Sequence, residues 1–297
     1  MAQAIVWFRR DLRLADNPAL QAALDAGLSP IPLYIYAPEE EAPWAPGAAS
    51  QAWLHKSLNA LAADLMGLGS RLIIRRGPSL AALEQLLDEG EIAAVFWNRL
   101  YEPHAIARDL RVELALQARG VQAASFNAAL LVEPWTITTG KGEPYRVFTP
   151  FWRKASQRVA GQLPLVAPAS LPPVSPSLAS VCVDALQLRP RVGWDADFWK
   201  PWQPGEAGAR DLLDAFVEGA ARGYAEQRNF PDRTGSSKLS PHLHFGEISA
   251  RQICARLAAE SWPADTQADV SRFLGELGWR EFSHHLLFHF PHSCDQD

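Results

Sequence analysis

The feature that most constrains this chain is an alternation across residues 4–126, where five short apolar runs are separated by segments of helical length. Ala4–Phe8, Ile31–Tyr36, Arg71–Arg75, Ala93–Trp97 and Val121–Phe126 read as strands. Between the first two, Asn17-Pro18 opens a helix that Gly27 closes, with proline in the first turn and glycine at the end. Gln51–Leu68 carries Leu54, Leu58, Leu61, Leu65 and Leu68 at alternating steps of four and three, the spacing of one helix face. Leu80–Glu89 and Pro103–Arg119, the latter stopped by Gly120, complete the set. Helices of this length between short strands demand right-handed crossovers, and hence a five-stranded parallel doubly wound sheet.

Ligands on such a sheet lie beyond the carboxyl ends of the strands. Here those ends run into Arg9-Arg10-Asp11, Ala37-Pro38-Glu39 and Asn98-Arg99. The first strand is followed by WFRRDLRL rather than GxGxxG, and GxxxxGK[ST] is missing from the sequence. A standard nicotinamide-dependent enzyme or P-loop NTPase is therefore not expected.

After the α/β region the composition shifts. Prolines at 164, 168, 172, 173, 176, 190, 201 and 204 leave residues 160–205 with little regular structure. A connector this long usually links two bodies, and it is expected to wrap across the surface between them. The remainder reads as helical. Leu212, Leu213, Phe216 and Val217 mark one helix, Ser249 with Gln252 forms a capping-box pattern for a second, and Ala268–Phe290 is a third stretch. The expected organisation is an α/β domain at 1–130, a connector at 131–205 and an all-helical domain at 206–297.

The formal net charge of −5 gives no global support for nucleic-acid binding, so any such surface must be local. Cys182, Cys254 and Cys294 are far apart and form no CxxC, which points to a reducing compartment and a cytoplasmic location. No apolar run reaches membrane-spanning length.

Three constellations carry chemistry. In Thr234-Gly235-Ser236-Ser237-Lys238-Leu239-Ser240-Pro241, small residues around a glycine expose backbone N–H groups, and Ser240 is placed to cap a helix with Pro241 in its first turn. Such a turn suits a phosphate or pyrophosphate, with Lys238 adding charge, or else is a polar loop before a capped helix. Around it Tyr224, Arg228, Asn229, Phe230 and Arg233 interleave cations with aromatic rings. In the second constellation, Glu276, Trp279, Arg280 and Ser283 fall at offsets 0, 3, 4 and 7 on one helix face. They form either a site for a planar, hydrogen-bonding ligand such as a nucleobase, or an exposed Glu276/Arg280 pair with Trp279 packed beside it. The third is His284, His285, His289 and His292, with His285 and His289 at i, i+4. Without HExxH, this reads as a helix-end cluster rather than a metal site.

Five segments in order resemble the photolyase and cryptochrome family. They are IVWFRRDLRLADNPAL at Ile5–Leu20, KGEPYRVFTPFWR at Lys141–Arg153, Tyr224, SSKLSPHLHFGEIS at Ser236–Ser249, and ELGWREF at Glu276–Phe282. The likeness to bacterial enzymes that repair cyclobutane pyrimidine dimers is the greatest. The resemblance implies FAD held by Tyr224, Ser236, Ser237, Lys238, Leu239 and Ser240 through its phosphates and ribitol, with Glu276 and Arg280 beside it. It implies DNA containing pyrimidine dimers as the partner, met by Glu276, Trp279, Arg280 and Ser283. The flavin carries the chemistry, so no catalytic side chain and no metal is assigned.

The family often carries a folate antenna (methenyltetrahydrofolate), gripped in several members by an Asn-Glu pair past the fourth strand. Those positions read His104-Ala105 here, which leaves open another mode of folate binding or no antenna. Family members also continue well beyond ELGWREF, so the resemblance implies a truncated chain with half a flavin pocket, weak FAD binding and little repair. The competing expectations are a blue-light photoreceptor of the cryptochrome type and an inactive family member. A monomer is expected.

Overall fold

The computed structural model describes residues 2–159 and 161–294. Met1, Ala160 (the first residue of the Pro-rich connector) and Asp295–Asp297 lie outside the described residues. Five strands, β1 (Gln3–Phe8), β2 (Ser29–Tyr36), β3 (Ile73–Arg76), β4 (Ile92–Asn98) and β5 (Gln122–Phe126), form one parallel sheet in the order β3-β2-β1-β4-β5. The pleat sends Ala4, Val6 and Phe8 into one core with α1 (Pro18–Asp25) and α2 (Ala48–Gly67). Ile5 and Trp7 enter the opposite core with α3 (Ser79–Asp88) and α4 (Pro103–Ala118). The sheet is doubly wound, as its alternation requires. Strand order reverses between β1 and β4, which makes their carboxyl ends the topological switch point. Asn17 caps α1 by accepting from the Leu20 N–H at 3.1 Å.

The region expected as connector differs from the sequence reading in two ways. Its first part contains a twelve-residue helix, α5 (Phe148–Val159). Phe148, Phe151, Trp152 and Ala155 sit at offsets 0, 3, 4 and 7, a helical period hidden by Pro150, which the first turn of a helix tolerates. The Pro-rich part does not simply bridge two bodies. Val181 N donates to Ile74 O at 3.1 Å and Ser180 Oγ accepts from Ile74 N at 2.9 Å, so this stretch satisfies the outer edge of β3. Leu171, Val183, Leu186 and Leu188 from the same stretch are buried against α2.

The helical half contains α6 (Glu206–Ala215), a π-helical turn at Phe216–Ala220, α7 (Tyr224–Gln227), α8 (Ser240–Phe245), α9 (Ala250–Ala258) and α10 (Gln267–His289). Its core gathers Leu213, Phe216, Tyr224, Ile253, Phe273 and Leu277. The capping box of α9 is present, with Ser249 Oγ accepting from Gln252 N at 3.0 Å and Gln252 Oε1 from Ser249 N at 2.8 Å.

Polar groups clasp the two halves together. Arg13 is 1% exposed and donates to the carbonyls of Gly246, Asp16 and Ala128 at 2.9, 2.6 and 2.8 Å. Asp16, equally buried, accepts from Leu165 N and Arg251 Nε, both at 3.1 Å. Gly246 packs so closely on the Arg10–Asp11 backbone that a Cβ there would overlap it. Glu247 is fully buried. Its Oε1 accepts from Ser57 Oγ, from Trp53 Nε1 at 3.2 Å and from Gly205 N at 2.7 Å, and its Oε2 meets His242 Nδ1 at 2.5 Å. Among the described residues, no helix is long and apolar enough to cross a membrane.

Candidate functional site

A cleft of about 570 Å³ opens where the carboxyl ends of β1 and β4 face α8 and α10. The sheet contributes Arg10, Arg99, Leu100, Tyr101 and Glu102. The helical half contributes Tyr224, residues 236–240, Glu276 and Arg280. Every residue expected to hold the cofactor therefore lines one cavity. Four cationic side chains, Arg10, Arg99, Lys238 and Arg280, face two carboxylates, Glu102 and Glu276, in its walls. The balance favours an anionic ligand.

Gly235 sets the shape of the 234–240 turn. It is pressed against the Gln227 backbone, and a Cβ there would overlap that chain. Lys238 adopts φ of 54°, and its carbonyl is anchored by Trp202 Nε1 at 3.0 Å. The backbone N–H groups of Ser236, Ser237, Lys238 and Ser240 donate to no acceptor among the described residues. The capping expectation needs correction: Ser240 is the first residue of α8, Leu239 precedes it, and no side chain caps the helix. With only six residues, α8 brings little dipole. What the turn offers an anion is its free N–H groups and the Lys238 charge.

The Glu276–Ser283 face of α10 divides. Glu276 and Arg280 line the cleft, whereas Trp279 and Ser283 are exposed outside its lining. Glu276 does not pair with Arg280 as the i, i+4 spacing suggests. Its carboxylate meets Arg228, with Arg272 at 3.8 Å. Arg280 donates instead to Ala129 O at 2.8 Å, across the two halves. Trp279 lies flat on Phe148, with ring centroids 3.8 Å apart and planes 9° from parallel. Ser283 Oγ donates to Trp279 O at 2.9 Å.

The sheet-side wall went unassigned in the sequence, although the Arg-rich strand ends were its signal. Arg10 bonds Glu102 and reaches Glu41 at 3.2 Å. Burial opposes ionisation of Glu102, but Arg10, a backbone N–H and neighbouring positive charge together outweigh it and hold the carboxyl below its ordinary value. Tyr101 donates its phenol proton to Glu133 at 2.7 Å. His284 donates from Nδ1 to Arg280 O at 3.0 Å. Burial, then Arg280, pushes its imidazole down to about 4, so it stands neutral in the cleft wall.

The rest of the 284–292 histidine cluster separates from this site. His285 Nε2 accepts from Tyr145 N at 3.0 Å and is pushed down to about 4, first by burial and then by His289. Among the described residues no cluster of three or more side chains is arranged to hold a metal.

A second cleft of about 230 Å³ lies beyond the carboxyl ends of β1 and β2 and shares Arg10, Leu100 and His244 with the first. Trp7, Tyr34, Tyr36 and Trp44 give it aromatic walls, and Arg9 and Arg108 give it charge. The Trp7 indole N–H is buried and has no partner among the described residues. His104 and Ala105 line neither cleft. They lie in the first turn of α4, and Ala105 is fully buried.

Comparison with known proteins bears on this arrangement. The DNA photolyase family model matches residues 4–173. The deoxyribodipyrimidine photo-lyase of Agrobacterium fabrum is 42% identical over 98% of this chain and 60% of its own length. Cryptochrome-1 of Arabidopsis thaliana is 37% identical over 99% of this chain and 44% of its own. The crystal structure of a bacterial class III photolyase from Agrobacterium tumefaciens superposes with a TM-score of 0.93 at 40% identity, covering 100% of this chain and 61% of that one. The chain thus spans about 60% or less of the length of these relatives.

Proposed function

Because this chain belongs to the DNA photolyase family, we propose that it serves the light-driven repair of cyclobutane pyrimidine dimers in DNA with reduced FAD, a carbon–carbon lyase reaction. The observation that carries this reading is the convergence of the 236–240 turn, Tyr224, Glu276 and Arg280 in one cationic cleft. Its donor set fits the pyrophosphate of FAD: unused backbone N–H groups, Ser236 and Ser240 hydroxyls, and Lys238. Reduced FAD, when bound, supplies on excitation the electron that opens the cyclobutane ring and then recovers it.

The side chains bind and orient. Ser236, Ser237, Lys238, Leu239 and Ser240 hold the phosphates and ribitol, and Tyr224 closes the wall beside them. Glu276 accepts hydrogen bonds from the bases of the dimer, in exchange for its contact with Arg228. Trp279 stacks on the extruded pair, while Arg280 and Ser283 hold its surroundings. Extrusion costs least where stacking is already damaged, which favours a lesion over intact DNA. We assign a folate antenna (methenyltetrahydrofolate) to the second cleft, whose aromatic walls suit a pterin ring. We place the antenna domain at 1–130, the connector at 131–205 and the FAD- and DNA-binding domain at 206–297, in a cytoplasmic monomer.

The test is an absorption spectrum of the purified chain mixed with FAD, followed by blue-light treatment of a dimer-containing oligonucleotide. Flavin bands weaker than stoichiometric and slow light-dependent loss of the dimer are expected. A chain that retains no flavin and leaves the dimer intact overturns the reading. Similarity to Cryptochrome-1 favours a second reading, a blue-light photoreceptor. Retained flavin with light-induced spectral change but no dimer loss selects it.

A further inference from the structure

Trp279 is 46% exposed, yet one face of its indole is fully engaged. The Phe148 ring lies on that face at 3.8 Å, tilted by 9°. Aromatic pairs left to themselves prefer offset or edge-on geometry, so a near-parallel sandwich has to be set by its neighbours. Those neighbours are present. Phe148 is backed on its helix by Trp152, 11° from parallel at 6.5 Å, and meets Phe282 edge-on at 6.0 Å. Trp152 in turn lies against Gly278, where a Cβ would overlap the indole ring. Phe151 anchors the same helix by packing on Phe282 at 5.2 Å and His285 at 5.0 Å. Helix α5 thus closes onto α10 beside the cleft-lining Glu276 and Arg280, with the plane of Trp279 fixed by contacts from α5.

We propose that Phe148 is a positioning residue for base recognition: it holds the Trp279 indole in one orientation so that the opposite face is a preformed stacking platform. The proposal rests on the functional reading above. An exposed tryptophan without backing samples several rotamers, and the loss of that freedom is charged against binding. With Phe148 in place, that ordering has already occurred during folding. The ligand class is a planar nucleobase, extruded and stacked on Trp279, with its hydrogen-bonding edge directed to Glu276. Gly278 and Trp152 contribute by setting how closely α5 approaches.

The experiment measures affinity for a dimer-containing oligonucleotide and for the undamaged one, using the full chain and its Phe148→Leu, Phe148→Tyr, Trp279→Leu and Phe148→Leu/Trp279→Leu variants. Phe148→Leu is expected to weaken binding of the damaged oligonucleotide by roughly 3- to 10-fold. Affinity for the undamaged oligonucleotide stays unchanged, and Phe148→Tyr restores the preference. Adding Phe148→Leu to Trp279→Leu gives no further loss, because nothing remains to be positioned. If Trp279→Leu removes the preference while Phe148→Leu keeps it, or if the two losses simply multiply, the positioning role is overturned and the functional reading stands. If the unaltered chain does not distinguish the two oligonucleotides, the functional reading fails and the platform falls with it.

Discussion

Two polar segments of this molecule look alike in sequence and behave in opposite ways. Residues 9–17 and residues 234–240 both follow or precede a regular element, and both carry cations and small hydrogen-bonding side chains. In the first, Arg9, Asp11, Arg13, Asp16 and Asn17 are all buried and paired. In the second, Ser236 and Ser240 are exposed, and successive N–H groups are unclaimed by protein acceptors among the described residues. Apart from Arg10, which lines the cleft, the first segment uses its charges to hold the protein together, while the second leaves its donors unclaimed. What separates them is saturation, which depends on partners 100 or more residues away, such as Asp109 for Arg9 and Gly246 for Arg13.

The strongest way to break that contrast is Arg13→Met. It strands the carbonyls of Gly246, Asp16 and Ala128 and leaves Asp16 without its neighbour, so a loss of about 3–5 kcal/mol is expected in urea unfolding. A loss below about 1 kcal/mol means the clasp is not structural. Glu281 sharpens the contrast by showing a buried carboxylate held at some cost. It accepts from Leu131 N at 2.8 Å and Val132 N at 3.2 Å, and burial raises its carboxyl to about 7 against the partial opposition of Arg280.

A folded-state value above the ordinary 4.5 means that the contribution of this group to stability is fully present below about 4.5 and is lost as pH rises through about 7. Stability should fall across that window by on the order of 2–3 kcal/mol from this residue. Glu281→Gln should flatten the profile between those limits, and an unchanged slope assigns the pH dependence elsewhere. In the open turn the expected pattern reverses. Lys238→Ala should lower FAD affinity about tenfold, as loss of one charge-assisted contact does, while unfolding shifts by less than about 1 kcal/mol. A large loss of stability would place Lys238 with the clasp instead. The smallest effect is expected for Ser283→Ala: about threefold weaker binding of damaged DNA by equilibrium titration, and no measurable change in flavin uptake.

The sheet was legible because local period dictates it. Leu54, Leu58, Leu61 and Leu65 all reach the core, and the capping boundaries at Asn17 and Ser249 are where their chemistry puts them. The gathering of Tyr224, residues 236–240, Glu276 and Arg280 followed from resemblance, since spacing alone left each with a bland alternative. Helix α5 was hidden by a proline that its position tolerates. The β3-edge role of Ser180 and Val181 was illegible because no local pattern states which strand will need an edge partner. The pairing of Glu276 with Arg228 escaped the i, i+4 rule for a related reason: a cation arrives from the turn just past α7.

Glu247 carries a consequence in the time domain. Ser57 and Trp53 donate to a carboxylate made 190 and 194 residues later. A ribosome adding about 5–20 residues per second needs roughly 10–40 seconds to cover that distance. Throughout that interval α2 exists without the acceptor that its buried indole and hydroxyl require, and the nascent sheet has one flank still open to water. Closing this flank therefore requires a late, long-range contact. Any slowing of synthesis between Ser57 and Glu247 lengthens the period in which the Trp53 face is available to other molecules in the cell.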